Sequence, residues 1–295
     1  MSDPKLIVQN EAGELLFDTR KITYGMVKSG FMVSLGYWNR RYFKGGNVDP
    51  AIGANWTPST YMDAPTTGND AIHGFTIPRA RSPIAFITGG GALNSLSMNP
   101  DGSATFFYTG ASTSSKFYCF DLMADDVPGG PFLKTRKEDG SITFNSLQPP
   151  LNVYTTLTPP PPQLPQGQTG GWYLPYTGGS GVFVRNPFQG AVTYRFYYTV
   201  PLPGGEYAAS LPWTRGAQVR AEYQQNQSKG FHGVVEGAFG VSGGVTFCFV
   251  EAGGTPYEFG NDPQRIPGTF YTGFTVDPKP TAMVISTASL PFPYR

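Results

Sequence analysis

The run Val192-Thr193-Tyr194-Arg195-Phe196-Tyr197-Tyr198-Thr199-Val200 constrains the fold of this chain more than any other segment. Even positions place Val192, Tyr194, Phe196 and Tyr198 on one face. The other face carries Thr193, Arg195, Tyr197 and Thr199, which is the two-residue period of a strand. No segment shows a convincing helical period; Ala217–Gln227 comes nearest, and Gly216 and Gly230 confine it. With 38 glycines and 28 prolines set among 22 phenylalanines and 17 tyrosines in 295 residues, the chain reads as many short strands joined by turns. Disorder does not fit, because so many rings bury enough area to offset the entropy of ordering.

Before residue 158 the spacing predicts strands at Leu6–Gln9, Leu15–Phe17, Phe31–Leu35, Gly74–Ile77, Ile84–Ile87, Ala104–Tyr108, Lys116–Asp121 and Ile142–Phe144. After residue 171 it predicts Trp172–Leu174, Gly181–Val184, Val192–Val200, Gln218–Tyr223, Gly233–Phe239, Gly244–Glu251, Thr269–Val276 and Ala282–Ser286. Between the two sets lies Thr158-Pro159-Pro160-Pro161-Pro162-Gln163-Leu164-Pro165-Gln166-Gly167-Gln168-Thr169-Gly170-Gly171. Consecutive prolines favour an extended, semi-rigid spacer. The expected organisation is all-β: a β-sandwich-like or barrel-like domain over 1–157, a proline-rich linker over 158–171, and a second such domain over 172–295. Residues 44–70, rich in Gly, Asn, Pro and Thr, are too long an aperiodic stretch for a simple connection and are expected to be functional or interfacial.

Charged residues make up 14% of the chain and the net charge is +1, so there is no electrostatic footprint for nucleic acid. Scarce charge with abundant Tyr, Asn, Ser and Thr suits surfaces buried against other subunits. No apolar run is long enough for a membrane span. Met1-Ser2-Asp3-Pro4 has neither a basic region nor an apolar core, so no secretion signal is expected, and synthesis in a cytoplasm is. Cys119 and Cys248 each sit inside an aromatic strand pattern and read as small buried hydrophobes.

Chemistry has few anchors. His73 and His232 lack a second His or Cys at metal-ligand spacing, and no phosphate loop or nucleophile elbow is present. Asp121, Asp125 and Asp126 follow a strand, and Glu138-Asp139 sit in a turn; nothing pairs them with a sugar-stacking aromatic, so they read as solvated turn carboxylates. No catalytic residue, metal site or cofactor is expected.

The N-terminus is a hairpin pattern: Leu6-Ile7-Val8, a turn over Asn10 to Gly13, then Leu15-Leu16-Phe17-Asp18. Gly13-Glu14-Leu15-Leu16-Phe17-Asp18-Thr19 is echoed by Gly140-Ser141-Ile142-Thr143-Phe144-Asn145-Ser146. The hairpin resembles the opening of small tail-tip, baseplate and fibre-associated structural proteins of long-tailed, siphovirus-like bacteriophages and prophages. Further anchors are Arg81-Ser82-Pro83-Ile84-Ala85-Phe86-Ile87, Phe117-Tyr118-Cys119-Phe120-Asp121, and Phe144-Asn145-Ser146 with Pro149-Pro150-Leu151-Asn152-Val153. The likeness covers the first half only. It implies a non-enzymatic virion component, partnered by other tail proteins, assembled in the host bacterial cytoplasm and organised as a homotrimer. A second reading gives the C-terminal half a host-surface role, binding a glycan or pilus through Trp172, Tyr173, Tyr176, Tyr207 and Trp213; packed-core aromatics are the competing explanation for the same residues. A polysaccharide-degrading enzyme is the third.

Overall fold

A computed structural model describes residues 7–9, 11, 15–18, 22–38, 41–43, 61–63, 70–125, 129, 133–164, 166, 171, 173–185, 192–222, 229–260 and 270–295. No described residue is helical. The strands of the first half are β1 (Ile7–Gln9), β2 (Leu15–Asp18), β3 (Tyr24–Phe31), β4 (Val33–Trp38), β5 (Arg41–Phe43), β6 (Tyr61–Asp63), β7 (Asp70–Ile77), β8 (Ile84–Thr88), β9 (Ala92–Met98), β10 (Ala104–Thr109), β11 (Lys116–Leu122), β12 (Lys134–Arg136), β13 (Ile142–Asn145) and β14 (Thr155–Leu157). Those of the second half are β15 (Ser180–Arg185), β16 (Val192–Ser210), β17 (Gly216–Glu222), β18 (Lys229–Glu251), β19 (Pro256–Gly260), β20 (Phe270–Thr272) and β21 (Ala282–Ser286). The all-β expectation is met. Most of residues 44–70 lies outside the described set.

Four sheets form. β1 and β2 make the N-terminal hairpin, and β12 with β13 makes a second two-stranded ribbon. The echoed segments are therefore the second strands of two antiparallel ribbons, each with a register irregularity. A four-stranded sheet runs β4-β7-β10-β9. The largest sheet, of 13 strands, runs β14-β21-β16-β8-β18-β19-β5-β6, with β11 joining β8 to β3, β15 on β16, and β17 joining β18 to β20.

Two strands are far longer than their sequence suggests. The punctuation Pro201-Leu202-Pro203-Gly204-Gly205 reads as the end of a strand, yet β16 continues through it to Ser210. The pairing with β18 runs from Phe196↔Phe249 to Pro201↔Gly244 and resumes at Glu206↔Ser242. The intervening residues bulge out, with Gly205 at φ +135°. A bulge bends its strand, and the second half of β16 thereby turns to pair with β21 and to touch β8 at Ala209↔Ile87. β18 likewise runs unbroken where two strands are expected. Gly240 marks a close approach of backbones: a Cβ there would lie 1.6 Å from the Tyr207 carbonyl oxygen.

β18 is buried on both faces, which is why Val245-Thr246-Phe247-Cys248-Phe249-Val250 is almost continuously apolar. Val245, Phe247 and Phe249 face one core, where they meet Phe196, Val219, Tyr271, Phe274 and Val284. Cys248 and Val250 face another, between the large sheet and the four-stranded sheet, with Phe75, Ile77, Phe106, Ile87, Phe117 and Cys119. There Phe75 stacks on Phe117 with centroids 3.7 Å apart and on Phe106 at 4.8 Å. Each enclosed ring contributes about 1.5–3 kcal/mol through burial. A third cluster joins Met26, Phe86, Tyr118 and Phe120 to Ala208 and Ile285.

A division at 158–171 coincides with no division of the sheet or of the core. Strands from both sides of it pair directly, β14 with β21 and β8 with β16, and two of the three core clusters combine residues from both halves. The proline run lies along the chain's own surface. Pro159 is buried. The Pro161 carbonyl accepts from the Thr177 N–H and hydroxyl, both at 2.8 Å, and Gln163 and Leu174 exchange backbone bonds of 2.9 and 2.8 Å.

Candidate functional site

The aromatic residues singled out from the sequence separate sharply by environment. Trp172 lies outside the described residues. Tyr173 is half-buried, exchanges backbone hydrogen bonds with Tyr271 at 2.7 and 2.9 Å, and sits edge-on to Phe274. Tyr176 is fully buried, and its hydroxyl donates to Glu236 Oε1 at 2.7 Å. Tyr207 is buried with its hydroxyl donating to the Pro203 carbonyl. Trp213 is 41% exposed. Tyr176 and Tyr207 are thus core aromatics rather than stacking platforms. Each places its ring among apolar neighbours and satisfies its hydroxyl inside the protein.

Tyr176 belongs to a buried charged centre that sequence reading missed. The Arg215 guanidinium donates to both Glu236 oxygens, Nε to Oε2 and Nη2 to Oε1, each at 2.7 Å. Its Nη1 donates to the Thr275 carbonyl at 3.0 Å, and its plane lies over Phe249 and Phe274. Burial, then the Glu236 charge, pushes the Tyr176 hydroxyl far above its ordinary range, so it stays a donor. The side chains of both ions are essentially inaccessible. This geometry holds strands together and leaves no opening for a substrate. Arg195, on β16, forks onto Glu251, on β18, in the same manner. Burial raises the Glu251 carboxyl, and the Arg195 fork overrides it, leaving the group below its ordinary range.

Of the remaining candidates for chemistry, Asp121, Asp125 and Asp139 have structural employment. Asp121 is not a solvated turn carboxylate: it is buried and accepts backbone N–H bonds from Arg81, Ser82 and Leu122 at 2.7–2.8 Å. It pins the 79–83 turn to β11. Asp125 is exposed and pairs with Lys134 and Arg136, and Asp139 caps its own turn through Ser141. Asp126 lies outside the described residues. His73 is held below its ordinary pKa by burial, and His232 is buried on β18. Cys119 and Cys248 are free and buried, and burial pushes both thiols up. Among the described residues no group of three or more His, Cys, Asp or Glu side chains is arranged to hold a metal ion, and no helix is long and apolar enough to cross a membrane.

Two surface features stand out instead. The four-stranded sheet ends in β4 on one side and β9 on the other, and neither outer edge is paired among the described residues. Both carry exposed apolar side chains: Val33 and Tyr37 (60%) on β4, Leu96 and Met98 (54%) on β9. Neither contains proline or a charged residue.

The other feature is a groove of about 290 Å³ between residues 149–154 and the turn that follows β21. Its floor is Phe120 and Ile285, both almost fully enclosed. Pro149 and Pro150 form one wall, Ser286, Ser289 and Leu290 the other, and Asn152 and Tyr154 stand at the rim. Backbone bonds fix both sides: Met26 N–H to Pro149, Leu151 N–H to Tyr24, Tyr154 N–H to Val284 and Leu290 N–H to Thr287, at 2.8–3.1 Å. The Pro149–Val153 segment is visible in the sequence as a motif. Its pairing with residues 285–290 is not, because some 130 residues separate them.

Comparison with family models, with curated proteins and with solved structures found no match.

Proposed function

We propose that this chain is a non-enzymatic structural component of a bacteriophage tail tip, baseplate or fibre, which holds subunits together through its sheet edges. The observation that carries the assembly role is the four-stranded sheet whose β4 and β9 edges are, among the described residues, unpaired, uncharged and apolar. Such an edge offers a row of free N–H and C=O groups, and proteins that stay monomeric blunt it with Lys, Pro or a covering loop. Joining β4 of one copy to β9 of the next is a head-to-tail contact, which closes into a ring when its rotation allows. A homotrimer is the ring we favour. The virion assignment rests on the motif likeness of the first half. Two of the five aromatics first considered for glycan or pilus binding are enclosed, which weakens that reading at those residues. Labelling of tailed particles with an antibody to this chain tests the assignment: signal at the tail end supports it, and purified particles lacking the chain overturn it.

A further inference from the structure

We propose that the groove beneath Tyr154 binds one neutral sugar unit of a glycan. The inference is independent of the assembly role and uses different residues. Tyr154 is 51% exposed, and its ring is backed by buried Tyr207 with centroids 5.5 Å apart, so it presents a fixed, partly open aromatic surface. Around it stand Asn152, Ser286 and Ser289, whose side chains form no hydrogen bond with any other described residue. An amide and two hydroxyls offer both donors and acceptors, which is what vicinal hydroxyl groups require. The half-buried Pro149 and exposed Pro150 rings add apolar surface that suits the C–H face of a sugar ring.

Charge decides between ligand classes. Among the described residues no charged side chain lines the groove. The Lys116–Glu206 pair, which reaches Thr287 just after β21, is mutually satisfied at 2.7 Å and further engaged by Thr287. An anionic sugar or a phosphate would call for an Arg or Lys donor, so the ligand is neutral. A polyproline peptide would call for a row of exposed rings; here Tyr154 stands alone at the rim and Phe120 is enclosed. The volume is at the lower end for small-molecule sites and suits a single ring. Both walls are held by backbone hydrogen bonds, so little ordering cost attends binding.

The test is titration of the full chain, followed by NMR and calorimetry, with glucose, galactose, N-acetylglucosamine and their disaccharides, alongside glucuronate and a proline-rich peptide. At least one neutral sugar should bind saturably, with shifts centred on Asn152, Tyr154, Ser286 and Ser289. Tyr154→Ala should weaken binding about tenfold and Tyr154→Phe much less, while Trp213→Ala leaves it unchanged. If Tyr154→Ala does not fold, the shift map on the unaltered chain decides. The proposal is overturned if no neutral sugar binds. It also falls if binding depends on Trp213 but not Tyr154, or if only glucuronate or the peptide occupies the groove.

Discussion

The cores on the two faces of β18 treat charge in opposite ways. Against the four-stranded sheet, β18 presents Cys248 and Val250 to a cluster of stacked phenylalanines with no buried ion pair at its centre among the described residues. Against β17, β20 and β21 it presents Phe247 and Phe249 to a cluster that encloses Arg215, Glu236 and the Tyr176 hydroxyl. The first core asks only for apolar volume. The second asks for one particular arrangement, because every donor of a buried guanidinium must find its acceptor. The simple core lies under the sheet with open edges, and the exacting core locks the long bent strands.

The largest way to break this contrast is to unbalance the buried pair. Glu236→Leu or Arg215→Met should each cost about 3–5 kcal/mol, because a lone buried charge or its unpaired partners remain. The double replacement Arg215→Met/Glu236→Leu should recover most of that loss. Urea unfolding of the three variants measures it, and additive losses would mean the pair is not coupled. On the other face, Phe75→Leu should cost about 1–3 kcal/mol by leaving part of the stack empty, with no rescue available from a second site.

Acid should act on the paired carboxylates rather than on the phenylalanine core. Glu251 titrates below its ordinary value in the folded chain. Its contribution is therefore fully present above the unfolded carboxyl pKa and is lost as pH falls through the folded value. Replacing it by Gln should lower stability at neutral pH and flatten the acid limb of a melting-temperature profile. An unchanged acid limb would show that Glu251 does not titrate in that window. The smallest stability effect belongs to the edge: Leu96→Lys with Met98→Lys should change the unfolding free energy of the dissociated chain by no more than about 0.5 kcal/mol each.

Much of the fold was legible where turn residues bound an apolar or alternating run. Ala282–Ser286 matches β21 in full, and Ile84, Ala104 and Lys116 each begin strands at the expected residue. The expected breaks in β16 and β18 failed for a common reason. Gly and Pro mark bulges and close backbone approaches as well as turns, and Gly205 and Gly240 serve those other purposes. The shared sheet was hidden because the pairings that unite the halves are short and long-range, among them three residue pairs between β14 and β21 and the single Ala209↔Ile87. Arg215 and Glu236 gave no signal, since a charged residue bordered by Gly or Val reads as solvent-facing until its partner is known. For the same reason, deleting residues 172–295 would cut through two of the core clusters.

The claim that this is an assembly protein rests on the β4 and β9 edges, and sedimentation equilibrium of the full chain tests it most directly. The unaltered chain should form a closed oligomer, expected to be a trimer, while Leu96→Lys/Met98→Lys sediments as a monomer with the same β-type circular dichroism. An unaltered chain that stays monomeric across the accessible concentration range, or a double variant that assembles equally well, would contradict it.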